Sequence, residues 1–420
     1  MTAALAFRIF TPFALGYLLV SIFRSINAVI APELVRDLGL GATELGFAVS
    51  ALFLSGTIFQ LPCGVLLDRY DPRRVYAVVL VVSGLGAIIV ALAQGVVTLA
   101  LGRALIALGA SASAVTSYKV YSMWFPSERL PLVNGLSLAA GGLGLMAGTV
   151  PVEAALTFAS WRSIHVIVGI LLVGCAALVP AMAPTTPSES SGSTLFEQVK
   201  GLSAIARSMT FWRAAPLMMV VVGTFGAFTQ LWAGPWVRDV AGLSGSDTAN
   251  LLLVLTLAMT VSGLLTGALT SVARRVGFAP MEFALATAVL LAVVLVVLFL
   301  QWTPSSTVVF ATWALFGFFA SLNFVTYAAL APEFPPHLTG RLNACLTLSW
   351  MLGAFVIQNL YGAILDLFPS ASGSYSIEGH RIAIGVIILL LLTALTWFAV
   401  ASWLVPSQKD FSDFKRLPQK

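Results

Sequence analysis

Charge is what this chain has least of. Its 420 residues include 22 Lys and Arg and 17 Asp and Glu, so that 9% of the side chains are charged. A soluble domain carries about 25%, and a water-facing surface cannot be covered with so few. A soluble globular enzyme is excluded, as is a disordered chain, which would be polar and highly charged. Cysteine is scarce too. Cys63, Cys175 and Cys345 all fall inside apolar runs, which gives no disulfide framework. The three histidines, His165, His337 and His380, are scattered, with neither a ligand-spaced Cys/His set nor a phosphate loop in the sequence. No metal, cofactor or enzymatic activity is expected.

Apolar sequence is what the chain has in abundance: 59% of its residues are hydrophobic and the mean hydropathy is +0.97. Spans of about 20 residues with short connections divide this length into a dozen helices. Stretches bounded by charge or by Gly and Pro place them near 10–34, 45–67, 75–96, 98–124, 132–156 and 164–183, then 214–236, 249–271, 282–301, 306–331, 342–366 and 382–405. The first run follows Arg8 and is too long for a signal peptide, so it reads as span 1. The expected fold is an all-α integral membrane protein of twelve transmembrane helices in two six-helix bundles. Residues 1–183 would form the first bundle and 213–406 the second, with 407–420 as a cytoplasmic tail. Residues 184–212 form a polar linker whose part from Leu195 to Arg207 is weakly amphipathic, a surface helix or a flexible connection.

The net charge of +5 is no nucleic-acid signal, because excess Lys and Arg in a membrane protein mark cytoplasmic loops. With a cytoplasmic N-terminus, fifteen basic residues fall inside and four (Arg36, Arg162, Arg238 and Arg381) outside. Both termini are therefore expected in the cytoplasm, with the chain in a bacterial inner membrane. Lipid and a small-molecule substrate are the expected partners, and the chain is expected to be monomeric.

The halves repeat. Phe125-Pro126 followed by Asn134 matches Phe334-Pro335 followed by Asn343, and the same offset of 209 pairs Tyr118 with Tyr327 and Gly144 with Gly353. Val35-Arg36-Asp37 likewise matches Val237-Arg238-Asp239. Parallel six-span repeats point to a secondary transporter with its site near the midplane where the halves meet.

After span 2 the chain carries Gly64, Leu66, Asp68, Arg69, Asp71, Arg73 and Arg74 in one short stretch. A basic loop obeying the positive-inside rule accounts for the arginines but not for the spacing of Gly64, Asp68 and Arg69. This pattern resembles the loop 2–3 signature of the major facilitator superfamily, with Asp71 in place of the family's turn glycine. A degenerate second copy keeps Gly267, Arg274 and Arg275, with Ser271 where the acid would be. Arg103 and Gly109 also resemble the family's span 4 pattern, although Ala107 replaces its first glycine. The resemblance implies gating or conformational roles for Gly64, Asp68, Arg69, Arg73, Arg74 and Arg103. It places Asp68 at the N-terminal end of span 11 when the cytoplasmic side is closed.

Span 5 presents Gly135, Gly141, Gly144 and Gly148, a small-residue face suited to close helix packing. Three cations lie within spans. Each costs about 2.5–3.5 kcal/mol at mid-membrane on insertion scales, so such residues usually face a cavity. Arg24 falls near the middle of span 1, on a polar stripe with Tyr17, Ser21 and Asn27. Arg103 and Lys119 lie toward opposite ends of span 4. Lys119 reads equally as a cavity residue or as a side chain snorkelling to the inner surface. The acids contrast: Glu33, Glu153 and Asp366 lie near outer helix ends, Glu282 and Glu333 near inner ones.

A cavity with cations and no carboxylate favours an anion. The expected function is alternating-access transport of a small organic or inorganic anion, held by Arg24, Asn27, Tyr17, Lys119 and Tyr118. Gln230 and Trp232 on span 7, with Asn323 and Tyr327 on span 10, would face them. Proton coupling lacks a midplane acid, leaving Glu153 and then His165 as fallbacks, so anion exchange or symport through substrate protonation fits better. The alternatives are drug or metabolite efflux by proton antiport, and a transporter-like receptor that does not transport.

Overall fold

The structure is a computed structural model that describes residues 2–185, 202–203, 205–303, 305–335, 338–368 and 374–404. Among these, twelve helices are long and apolar enough to cross a membrane. Spans 1 to 6 are Ala4–Leu38, Ala42–Gln60, Pro72–Ala91, Val96–Trp124, Ser127–Leu156 and Trp161–Met182. Spans 7 to 12 are Met209–Asp239, Gly245–Arg275, Pro280–Phe299, Ser306–Glu333, Thr339–Asp366 and Ile377–Trp403. In lipid each backbone polar group must be satisfied within the chain, and helices achieve this locally. The helical part of span 2 continues to Arg69. Most of the linker's amphipathic part and the whole tail 407–420 lie outside the described residues.

Helix ends carry their own punctuation. Ser160, Ser244 and Ser305 each accept a backbone N–H in the first turn of spans 6, 8 and 10. Gly39 closes span 1 at φ 63°, a left-handed cap that a residue with a Cβ adopts only with strain. Asp71, in place of the family's glycine, caps span 3. Its carboxylate accepts from the Arg73 backbone N–H at 3.0 Å and from Arg73 Nε at 2.8 Å. Arg73 in turn donates to the Ala183 carbonyl at the end of span 6, at 2.7 Å. This arginine is a buried tie between spans, whereas Arg74 is exposed.

Three spans are interrupted. Span 5 breaks at Gly148 and Thr149, before a short helix Val150–Leu156. Span 7 contains a π-helical segment, Phe228–Trp232, and span 10 breaks at Asn323 and Phe324. The glycine face of span 5 packs on span 1. A Cβ at Gly144 would strike the Leu18 carbonyl, one at Gly148 would meet Ser25, and one at Gly141 would meet the Tyr17 ring. Ser25 Oγ donates to the Leu145 carbonyl at 2.6 Å across the same seam.

Candidate functional site

The two halves meet at one end and part at the other. Among the described residues, five hydrogen bonds cross between them, and all lie in the part of the molecule remote from the signature loop. Asp366, the last residue of span 11, accepts from the Ala42 and Thr43 backbone N–H groups at 2.9 and 2.8 Å. Gln358 donates to the Gly46 carbonyl at 3.2 Å, Asn359 to Ser50 at 2.7 Å and Arg238 to the Ala28 carbonyl at 3.3 Å. Spans 5 and 8 show where contact stops. A Cβ on Gly142 would sit 3.7 Å from Thr260 Oγ1. Seven residues further toward the loop end, on the same helical faces, Gly135 and Gly267 meet nothing within 4 Å. Among the described residues the seam is a wedge, in contact at one end and apart at the end that bears Asp68.

The three intramembrane cations have different fates. Lys119 donates to the Leu67 carbonyl at 2.6 Å and to Asp68 Oδ1 at 2.7 Å. Its ammonium is held by the end of span 2, at the end of the molecule that bears the signature loop. Arg103 is 1% exposed. It donates to Asn27 Oδ1, while its Nε and Nη2 find no partner among the described residues. Arg24 is half-buried and has neither a hydrogen bond nor an ion pair with any described residue. It is the one of the three left available.

The polar stripe on span 1 is split accordingly. Asn27 is buried and turned toward Arg103, with its amide donating to the Phe23 carbonyl, so it is not beside Arg24 in a cavity. Tyr17 packs its ring on Gly141 and lies close enough to Tyr118 to interact electrostatically. On span 7, Trp232 is fully buried. It donates to the Gln358 carbonyl at 3.0 Å and stacks on Tyr361 at 5.0 Å. Gln230 is 3% exposed. Both belong to the packed seal rather than to an open cavity. Asn323 is buried and ties span 10 to span 9 through the Ala284 carbonyl and Thr287 Oγ1, at 3.1 and 2.9 Å. Tyr327 is half-buried, with its hydroxyl 2.8 Å from Thr347 Oγ1. It stacks on Phe324, and Phe324 meets Trp350, which contacts Phe53 of the other half. Tyr327 thus stands in an aromatic set that bridges the halves below the seal.

The gating candidates of the signature stretch keep together. Gly64, Asp68 and Arg69 occupy the last turns of the span 2 helix. Glu153 lies in the short helix after the span 5 break, half-buried beside Gly245 and within electrostatic reach of Arg238 and Glu33. His165 is buried between Phe23 and Trp161, with Nδ1 2.8 Å from the Trp161 carbonyl. Sequence reasoning missed the polar groups of the sealed end: Asp366, Gln358 and Asn359 at the seam, with Asp239 and His380 beside it. Asp366 ends span 11 as Asp68 nearly ends span 2, a signal that was readable. Its partners, 323 and 324 residues away, were not.

Twelve apolar helices, bonded across one end of a central seam and apart at the other among the described residues, define a polytopic helical membrane protein. The sequence matches the Major Facilitator Superfamily over residues 13–358, and the chain belongs to that family. It is 25% identical to the Hexuronate transporter of Bacillus subtilis (strain 168) over 53% of this chain and 54% of that protein. It is 23% identical to the "Probable sulfoacetate transporter SauU" of Cupriavidus necator over 52% of each. These matches span about half the length of those relatives. Among solved structures, a bacterial homolog to human lysosomal transporter Spinster, inward-facing and unoccupied, is similar with a TM-score of 0.78. The match is 16% identical and covers 98% of this chain and 100% of that one, a likeness of fold.

Proposed function

We propose that this chain is a secondary transporter that carries a small anion by alternating access, with Arg24 as the counter-charge. The observation that carries the reading is the contrast among the three cations within spans. Lys119 and Arg103 are engaged within the N-terminal half, whereas Arg24 keeps its donors unpaired among the described residues, midway along span 1. An unpaired, half-buried guanidinium within an apolar span attracts carboxylate, sulfonate or nitrate, which it can bind through two parallel N–H donors. The names of the hexuronate and sulfoacetate relatives support the same substrate class. Tyr17, Tyr118 and Tyr327 would supply hydroxyl donors around the anion, Asn27 would orient Arg103, and Trp232 and Gln230 would stay in the seal. With both termini cytoplasmic, in an inner membrane, the wedge opens inward.

The test is a thermal-shift panel of hexuronates, sulfonates, nitrate and lipophilic cations on detergent-purified protein, followed by flux in liposomes. A ligand that binds the folded state raises its apparent stability by mass action. An anion should raise the melting temperature, and Arg24→Ala should weaken its apparent affinity at least tenfold, about 1.4 kcal/mol. A response to lipophilic cations alone would remove the anion reading.

A further inference from the structure

The repeat places the same carboxylate twice, with different partners. Asp37, in the last turn of span 1, accepts a hydrogen bond from Trp161 Nε1 at the start of span 6, at 2.9 Å. Its repeat mate Asp239, at the end of span 7, is reached from the start of span 12 by His380 Nε2, at 3.1 Å. An indole N–H can only donate. The first half therefore shows what a purely structural version of this joint looks like, and the second half has a titratable ring in the same place. His380 is fully buried, and its other nitrogen, Nδ1, lies 2.8 Å from the Tyr361 hydroxyl on span 11.

We propose that Asp239, His380 and Tyr361 form a proton-binding site that couples the C-terminal half to the outer seal. This deepens the transporter reading and rests on it, because it names a coupling ion for the same cycle. Three observations support it. The setting of the counter-charge comes first: a cavity of about 470 Å³ is lined by Arg36, Arg238, Asp239, Ser374 and Tyr375 at the sealed end. Asp239 has this cavity on one side and His380 on the other.

Proton accounting comes second. With Nε2–H donating to Asp239, Nδ1 holds a lone pair that accepts the Tyr361 O–H. The ring's vacant position is Nδ1, on the Tyr361 side, so the proton that makes the ring cationic is taken there. Asp239 supplies the counter-charge at Nε2, and both nitrogens then donate. Tyr361 must turn from donor to acceptor, and its proton needs a new partner. Transmission comes third. The Tyr361 ring stacks on Trp232 in the π-helical segment of span 7. Trp232 bonds the Gln358 carbonyl, and the Gln358 side chain crosses to Gly46 of the other half.

The charges around His380 are few. Span 7 contributes Asp239, span 11 contributes Tyr361, and the preceding loop contributes Tyr375, whose backbone N–H donates to Asp239 at 3.3 Å. Arg238 and Asp366 act on Tyr375, and Glu33 and Glu153 act on Arg238. On its own helix, Glu378 and Arg381 are exposed and pair with each other at 3.6 Å. The remaining charged side chain of span 7, Arg213, and that of span 9, Glu282, sit at the opposite end of the molecule.

The test needs no substrate. Histidine ring signals of isotope-labelled protein in nanodiscs are followed by NMR from pH 4.5 to 8.5, with His380→Gln identifying one of the three. Spin labels at Val97→Cys and Trp302→Cys, exposed at the sealed ends of the two halves, report the seal by pulsed electron resonance. The proposal expects the His380 signal to titrate and the label distance to change over the same pH range. Asp239→Asn should move the midpoint, since the carboxylate that accepts from the ring is then gone. Tyr361→Phe, which keeps the ring stack, should leave the titration and abolish the distance change. A His380 signal that does not titrate, or a label distance that ignores pH, overturns the proposal. The anion-induced thermal shift at fixed pH is read separately, so failure of the anion reading and failure of the proton site give different results.

Discussion

At the scale of single residues, sequence identified the cations but not their partners. Arg24, Arg103 and Lys119 stand out in a chain with 9% charged residues, because each is expensive where it lies. What each one does depends on a neighbour far away in sequence: Asp68 lies 51 residues from Lys119, and Asn27 lies 76 from Arg103. Helical spacing put Asn27 and Arg24 on one stripe, yet 60° of rotation about the axis was enough to turn them to different sides. The Lys119–Asp68 pair is partly open to solvent, with side chains 32% and 28% exposed. Such a pair is worth about 0.2–1 kcal/mol, a strength suited to a contact that is remade during transport. In the anion thermal-shift titration, Lys119→Met should keep the apparent affinity within about twofold, whereas Arg24→Ala loses at least tenfold. Equal losses in the two variants would return Lys119 to the binding site.

Elements were more legible than sites. The twelve spans follow from apolar length alone, and the glycine face of span 5 read directly as a packing surface. The breaks in spans 5 and 10 were hidden, because glycine and asparagine inside an apolar run do not say whether a helix continues through them. The π-helical turn of span 7 falls on Phe228–Trp232, which carries no helix-breaking residue. The Gly face now supports a quantitative expectation. Gly144 brings its backbone against the Leu18 carbonyl, an immobile group that cannot yield to an added side chain. Gly144→Val should therefore destabilise the N-terminal half by about 1–3 kcal/mol or prevent its assembly. Gly135→Val, on the same helix but with nothing within 4 Å of its Cβ position, should leave the melting temperature nearly unchanged. Equal melting temperatures for the two variants would show that spans 1 and 5 are not packed in this way.

At the scale of the whole molecule, spans 2 and 11 run antiparallel across the seam, and each ends near a carboxylate. Asp366 at the end of span 11 caps the start of span 2 through two backbone N–H groups. There it also meets the positive end of the helix dipole. Asp68, at the other end of span 2, is expected to do the same for span 11 when the opposite side closes. In this conformation it accepts from Lys119 at 2.7 Å. We propose that the two acids act as latches at opposite ends of the seam. Two hydrogen bonds to a carboxylate contribute about 2 kcal/mol net, enough to change a two-state ratio roughly thirty-fold. Asp366→Ala should accordingly lengthen the distance between spin labels at residues 97 and 302 in a large fraction of molecules, while Asp366→Asn, which keeps one acceptor oxygen, should do so less. Asp68→Asn should leave that distance short and slow flux of the transported anion, with its apparent affinity nearly intact. If Asp366→Ala keeps the wild-type distance distribution, the seal is held by the apolar seam, and the carboxylate is a helix cap without a gating role.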